Sequence, residues 1–448
     1  MLTFTLIIAC GQPTPSGSLG PPNNHNPGEG PPNHHRVMEA VTTPAGEYEP
    51  IGTLAEDPLS ILLISWDTAR TDRLGRYGGR VPTPNLDSLA AQGGTWTQAI
   101  SHFPETALSH WSILTGVQPE LHGNIPGTGS SRYSGPTLAE IAGSHGYATG
   151  AFIGGVTLTA SASGLQRGFD LYDDQWDWQR TDMKRSGDDV VDNASNWITS
   201  QDGDYFAFVH LFDAHHPYAP PAPFDTMFEA DGPRAPDVEA QLALYDGELA
   251  YLDQLLGRLL AVVDEDTIIV VTSDHGESFE HEYLYNHRES LWDNTLLVPL
   301  IIRGGEIPAA STHTQQVALT DILPTVLEIA GLPTERKIQG SSLTNGHTQT
   351  RVFSSTDPWF GERQLSARTQ AAKGIWRDGR EPLGYNLLTD PNESDNLGEI
   401  PESLVGADAQ YNAEIRSGAT LQRAELPSRH ITPQRIEQLE ALGYVGER

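Results

Sequence analysis

Five short, continuous apolar runs constrain this chain most: Ser60 to Trp66, Ala148 to Ile153, Tyr205 to Phe212, Thr267 to Thr272 and Val298 to Ile302. None approaches the roughly 20 residues a membrane helix needs. They do not alternate with polar residues, so each reads as a strand covered on both faces. Helical patterns separate them at Pro84 to Gln92, Thr137 to Ser144, Ala240 to Val263 and Asp321 to Ala330. Strands alternating with helices imply a mostly parallel sheet flanked by helices, the α/β class. In such sheets ligands bind at the carboxyl ends of the strands.

The residues at those ends carry the next inference. The first strand runs into Asp67, the third into Asp213-Ala214-His215-His216, and the fourth into Ser273-Asp274-His275-Gly276-Glu277. A single acid after a strand is ordinarily a turn former or helix cap. Three strands delivering Asp or His to one rim point to a metal site. Between them, Thr106 opens the helical stretch TALSHWSILTG and reads as its N-cap. A hydroxyl there meets free N–H groups and the positive end of the helix dipole, a place that favours an oxyanion. Glu277 and Glu280 read as solvated loop residues.

These segments, in this order, resemble the sulfatase family of the alkaline phosphatase superfamily across about residues 59 to 448. ISWDTARTDRLGRYG resembles the first metal-binding strand and TPNLDSLAAQG the next helix. TALSHWSILTG stands in the place of the nucleophile motif. HHPY, TSDHGESFEHE, YNLLTDPNESDNL and LEALGYVG resemble later segments. The resemblance implies an alkaline-phosphatase-like sandwich with a mostly parallel central sheet, plus a small C-terminal antiparallel sheet. It implies Asp67, Asp274 and His275 as metal ligands, with Thr106 as ligand and nucleophile. It places His110 where many members have Arg, and His216 (His215 its rival) and His287 among groups that contact substrate or donate protons. Arg70 falls where it would hold an anionic oxygen, against a plain ion pair with Asp72.

The departures narrow the chemistry. Formylglycine, the usual sulfatase nucleophile, is made from Cys or Ser, and the motif position here is Thr106. Leu108 replaces the motif proline, Trp66 one member of an Asp pair, and His275 a common Asn. Two carboxylates, one imidazole and one Thr hydroxyl resemble the Thr-nucleophile branch, which includes phosphodiesterases and phosphoglycerol transferases. An imidazole shifts preference from Ca²⁺ toward Mn²⁺, Zn²⁺ or Mg²⁺. A second ion near Asp213, His216 and His287 is the lesser expectation. The function expected is hydrolysis, or transfer, of phosphate or sulfate esters on a small molecule, glycan or lipid head group. The rivals are a formylglycine-free sulfatase and a non-catalytic binding protein.

Composition and the N-terminus set the context. With 59 acidic and 27 basic residues the net charge is −32, which speaks against nucleic acid as partner. One cysteine excludes a disulfide framework or a Cys-rich metal site. That cysteine, Cys10, follows the apolar run Leu2 to Ala9 and resembles a bacterial lipobox, which implies export and a lipid anchor on the cell envelope. Residues 11 to 56, Pro- and Gly-rich at first, then read as a flexible tether. The catalytic unit is expected over 57 to 348 and a C-terminal subdomain over 349 to 448, ending in a helix from Pro433 to Leu442. Substrate choice is expected in rim loops 124 to 136 and 156 to 186, the second carrying Trp176, Asp177 and Trp178.

Overall fold

The computed structural model describes residues 59–418, apart from 125, 177–183, 231, 282, 334–337 and 357–362. The expectations for Cys10, the tether, Asp177, Trp178 and the helix from Pro433 to Leu442 lie outside the described residues.

In chain order the strands of the main sheet are β1 (Ile61–Trp66), β2 (Gly94–Ile100), β3 (Ala148–Ile153), β4 (Leu171–Asp173), β5 (Tyr205–Leu211) and β6 (Ile268–Thr272). A small hairpin, β7 (Phe279–Glu280) and β8 (Tyr283–Leu284), follows, then β9 (Leu297–Arg303), β10 (Ser311–His313) and β11 (Val317–Ala318). The order across the sheet is β10-β2-β9-β6-β1-β5-β3-β4, with β11 also paired to β2. Only β9 runs against its neighbours β2 and β6; the other pairings are parallel.

The alternation of side chains along the central strands explains the continuous apolar runs. Ile61, Leu63, Phe206, Phe208, Ile268 and Val270 join one buried cluster. Leu62, Ile64, Trp66, Ala207, Val209, Leu211, Ile269 and Val271 join the other. Each buried aliphatic or Phe side chain contributes about 1.5–3 kcal/mol, so a run with no polar position fits only a strand with two covered faces.

Helix boundaries follow local chemistry. The long helix Pro236–Leu260 starts before the expected Ala240, because Pro236 stands in its first turn with Asp237 and Glu239 beside the positive end of the dipole. Within that helix, Asp253 caps α1 (Pro84–Ala90): its Oδ1 accepts from the Leu86 amide at 2.8 Å and its Oδ2 from the Asn85 amide at 3.1 Å. Strand β2 was not expected, since Thr95, Thr97 and Gln98 break its apolar character. It is nonetheless held between β9 and β10.

The C-terminal part forms a separate antiparallel sheet, β12 (Val352–Ser355), β13 (Gln364–Arg368), β14 (Ala372–Arg377) and β15 (Leu383–Asn386), paired in that order. Val352, Ile375, Leu383 and Tyr385 pack on Ile100, Leu291, Trp292 and Leu296. Asp293 bolts this junction, 2.8 Å from Arg368 Nη2 and 2.7 Å from Lys373 Nζ. Among the described residues no helix is long and apolar enough to cross a membrane.

Candidate metal centre

The carboxyl ends of β1 and β6 are neighbours in the sheet, so Asp67 and Asp274 are delivered side by side. Asp67, Asp274 and His275 are wholly buried, and each offers a ligand atom within 4.8 Å of the others. Thr68, immediately after Asp67, adopts φ 62°, left-handed backbone that a β-branched residue seldom takes. The turn is fastened there by the Thr68 hydroxyl donating to Ala214 O at 2.8 Å and by the Tyr245 hydroxyl donating to Thr68 O at 2.7 Å. The Thr68 amide donates to Asp274 Oδ1 at 3.3 Å, tying the two strand ends together. Strain held by several neighbours is typical of a site whose geometry matters.

Three buried atoms at this point make no hydrogen bond: Asp67 Oδ1, Asp274 Oδ2 and His275 Nε2, the last two standing 3.2 Å apart. Burial, opposed by hydrogen bonds from Thr106 and Asp274, pushes the Asp67 carboxyl well above its ordinary range. Burial and then the Asp67 charge do the same to Asp274. The imidazole of His275 is held neutral by burial and by neighbouring His287, and its Nδ1 donates to Gly276 O at 2.9 Å, which leaves the Nε2 lone pair for a ligand. Two unsatisfied carboxylate oxygens and an unsatisfied imidazole nitrogen, converging in a buried place, fit a divalent cation.

Thr106 is the first residue of α2 (Thr106–Thr115) and not its cap. The cap is Glu105, whose side chain accepts from the Leu108 amide at 2.9 Å. With that carboxylate on the helix end, the Thr106 hydroxyl is not spent on capping and hydrogen-bonds Asp67. His110 lies one turn on. Its Nδ1 donates to Thr106 O at 2.7 Å and its Nε2 accepts from the Ser65 hydroxyl at 2.8 Å, while Nδ1 stands 3.6 Å from Asp274 Oδ2. Burial and the adjacent His210 keep His110 neutral.

The structure also supplies site residues that sequence reasoning passed over. His210 projects from the middle of β5, and its Nε2 donates to Asp67 Oδ2 at 3.0 Å; burial lowers its pKa to about 3. Glu277 is buried and accepts from the Tyr218 hydroxyl at 3.1 Å and from His287 Nδ1 at 3.2 Å. It is therefore an internal acid, not a solvated one. Lys184 Nζ donates to the carbonyls of Asp213 (3.1 Å), His215 and Pro217 (2.7 Å), clamping the turn that carries His215 and His216.

Three expectations need correction. Arg70 does not offer its guanidinium to an anion. Its five N–H donors are spent on Asp72, Glu280 and the Glu277 carbonyl, so it braces the β6 turn. The Glu280 carboxylate is correspondingly committed to Arg70 and Arg234. His216 is not drawn into the cluster. It is half-buried with its ring stacked on Tyr285 at 5.5 Å, while His215 faces His287 at 5.1 Å. Asp213, His216 and His287 form no second ion site: Asp213 Oδ1 accepts from the Gly187 amide at 3.0 Å, at the start of the helix Gly187–Thr199. Among the described residues the only group of three such ligands is Asp67, Asp274 and His275.

Comparison with known proteins fits this arrangement. Residues 60–332 match the sulfatase family. The chain belongs to that family. Arylsulfatase K of Rattus norvegicus is 28% identical over 197 residues, which is 39% of this chain and 35% of that protein. The chain thus matches only about a third of the length of these curated relatives. An ulvan-active sulfatase of Formosa agariphila is 26% identical over 327 residues, 64% of each protein. In fold, the chain is similar to a phosphonate monoester hydrolase of Agrobacterium radiobacter, with TM-score 0.68 and 23% identity over 84% of this chain and 98% of that one. It is also similar to a protein solved with its substrate D-glucosamine-2-N,6-O-disulfate, with TM-score 0.64 and 19% identity over 81% and 98%. The separate C-terminal sheet agrees with this fold.

Proposed function

We propose that the protein is a metal-dependent hydrolase of anionic esters that uses Thr106 as its nucleophile and prefers phosphorus esters to sulfate esters. The observation that carries this reading is the position of Thr106: first residue of a helix, wholly buried, and hydrogen-bonded to Asp67 within the Asp67–Asp274–His275 cluster. Those three residues would hold the ion. Bound there, a divalent cation supplies Lewis-acid charge that favours an ionised hydroxyl and a developing oxyanion. Mn²⁺, Zn²⁺ or Mg²⁺ suits the mixed oxygen and nitrogen set better than Ca²⁺.

The protein's own groups supply the rest. The amides at the start of α2 face the ester oxygens with the positive end of the helix dipole. His210 holds the Asp67 carboxylate, and His110 holds the Thr106 backbone through its carbonyl. In the first half of the reaction the Thr106 oxygen bonds to phosphorus, the bond to the leaving oxygen breaks, and the hydroxyl proton ends on that oxygen. His287, buried and stacked beside His275, is the imidazole at hand for proton transfer; burial and the neighbouring Arg288 hold it neutral, so it serves as the base. Water then cleaves the Thr106 ester. Thr106 lacks the second hydroxyl of a hydrated aldehyde, so release requires attack at the central atom, and this favours phosphorus over sulfate.

Sulfate ester hydrolysis is the second reading, favoured by the names of the related proteins. Turnover of aryl phosphate diesters, aryl phosphonates, aryl phosphates and aryl sulfates by wild type and Thr106→Ala separates the two. Phosphorus esters should dominate and Thr106→Ala should be inactive. Sulfate turnover above all phosphorus esters overturns the preference. We also propose export and attachment through an acylated Cys10, with residues 11 to 56 as tether; mass spectrometry of the mature N-terminus should find the acyl chains, and an intact unmodified Met1 would refute them.

A further inference from the structure

Glu277 joins three segments that meet at the site. It follows the β6 turn bearing Asp274 and His275, accepts from Tyr218 in the turn after β5, and accepts from His287 in the loop beyond the β7–β8 hairpin. Both Glu277 and His287 are buried, at 0% and 4% exposure. Because a carboxylate can only accept, His287 Nδ1 carries the hydrogen and Nε2 the lone pair. That Nε2 is buried without a partner. The ring lies 4.2 Å from the His275 ring, nearly parallel to it, and 5.1 Å from His215. A polar atom is thus held ready beside the ion's ligands.

An imidazole left to itself can rotate and take either tautomer. One hydrogen bond to a fixed carboxylate removes both freedoms. The carboxylate is itself fixed by three donors: Tyr218 on Oε2, and His287 and the Ser278 amide on Oε1. An amide could keep its oxygen on His287 while the Tyr218 hydroxyl turns to accept from its NH₂, so alanine is the substitution that removes the acceptor. We propose that Glu277 is a positioning residue, locking His287 in one tautomer and orientation with the Nε2 lone pair presented to take the proton of the attacking hydroxyl or water. This rests on the ester-hydrolase reading above.

A double-mutant cycle tests it, with aryl phosphate diester as probe and bound metal measured in each variant. Glu277→Ala should lower kcat by about 10- to 100-fold with KM within about threefold and metal content unchanged. In a His287→Ala background the same change should cost nothing further. Added imidazole should restore part of the His287→Ala activity, and should fail to do so in the double variant, which lacks the acceptor that docks the ring. Equal losses in both backgrounds, or no loss in either, would overturn the proposal. If Glu277→Ala does not fold, Tyr218→Phe serves: a few-fold loss of kcat that vanishes in the His287→Ala background supports it, and a loss that persists there overturns it. Full activity of Thr106→Ala would instead bring down the ester-hydrolase reading itself.

Discussion

Two clusters of buried charge in this protein are built in opposite ways. At the junction of the two sheets, Asp293 and Glu393 meet Arg368 and Lys373, two acids with two cations. Asp293 is buried, yet Arg368 and Lys373 hold its carboxyl below the usual range, while burial pushes its neighbour Glu393 up to about 7. At the strand ends, Asp67 and Asp274 face each other and Glu277 and take hydrogen bonds from neutral groups: His210, the hydroxyl of Thr106, and the amides of Thr68 and His275. Burial pushes both carboxyls up. The first cluster is closed and structural. The second has two acids and no cation, a deficit that protonation eases and that a divalent ion would fill. Buried polarity alone does not mark a site; buried polarity that the chain leaves unbalanced does.

The comparison can be broken by substitution. The largest expected effect is on turnover: Thr106→Ala or Asp274→Ala should lower kcat about a thousandfold or more, with Thr106→Ser losing much less. Next is stability. Asp293→Ala strands Arg368 and Lys373 and should cost about 3–5 kcal/mol in urea unfolding. Asp274→Ala in metal-free protein should cost far less, or stabilise, because it removes an uncompensated charge. Adding metal at 100 times its Kd should stabilise stripped wild type by about 2.7 kcal/mol and leave Asp274→Ala unchanged.

The smallest effect is on pH dependence, about 1.4 kcal/mol per pH unit per proton. With raised pKa values, Asp67 and Asp274 bind protons in the folded state where the unfolded chain has released them. Metal-free stability should therefore fall as pH rises from about 4 toward neutrality. Asp293 works with the opposite sign: its contribution is present above about pH 4 and lost as pH falls. Asp213, raised to about 6, adds to the first slope in both forms, so the diagnostic is the difference between metal-loaded and metal-free protein. That difference should vanish in Asp274→Asn.

Asp67, Asp274 and His275 were legible as candidate ligands because strand runs end on them and local pattern announces a strand. His210 was not, because a polar residue inside a doubly covered strand breaks no periodicity, and its partner Asp67 is 143 residues away. Arg70 was misread for a similar reason. Its nearby partner Asp72 was visible, but Glu280, 210 residues on, completes the set of acids that takes it from any substrate. Glu277 looked like one more acid in a polar loop until Tyr218 and His287 were brought against it. The sheet was read from its apolar strands, whereas β2 was missed because its polar side chains hide pairing made on both edges.

Elemental analysis of the purified protein tests the central claim most directly. Wild type and Asp293→Ala should each carry one divalent ion per chain, and Asp274→Ala should carry none. An ion-free wild type, or full occupancy in Asp274→Ala, would contradict it.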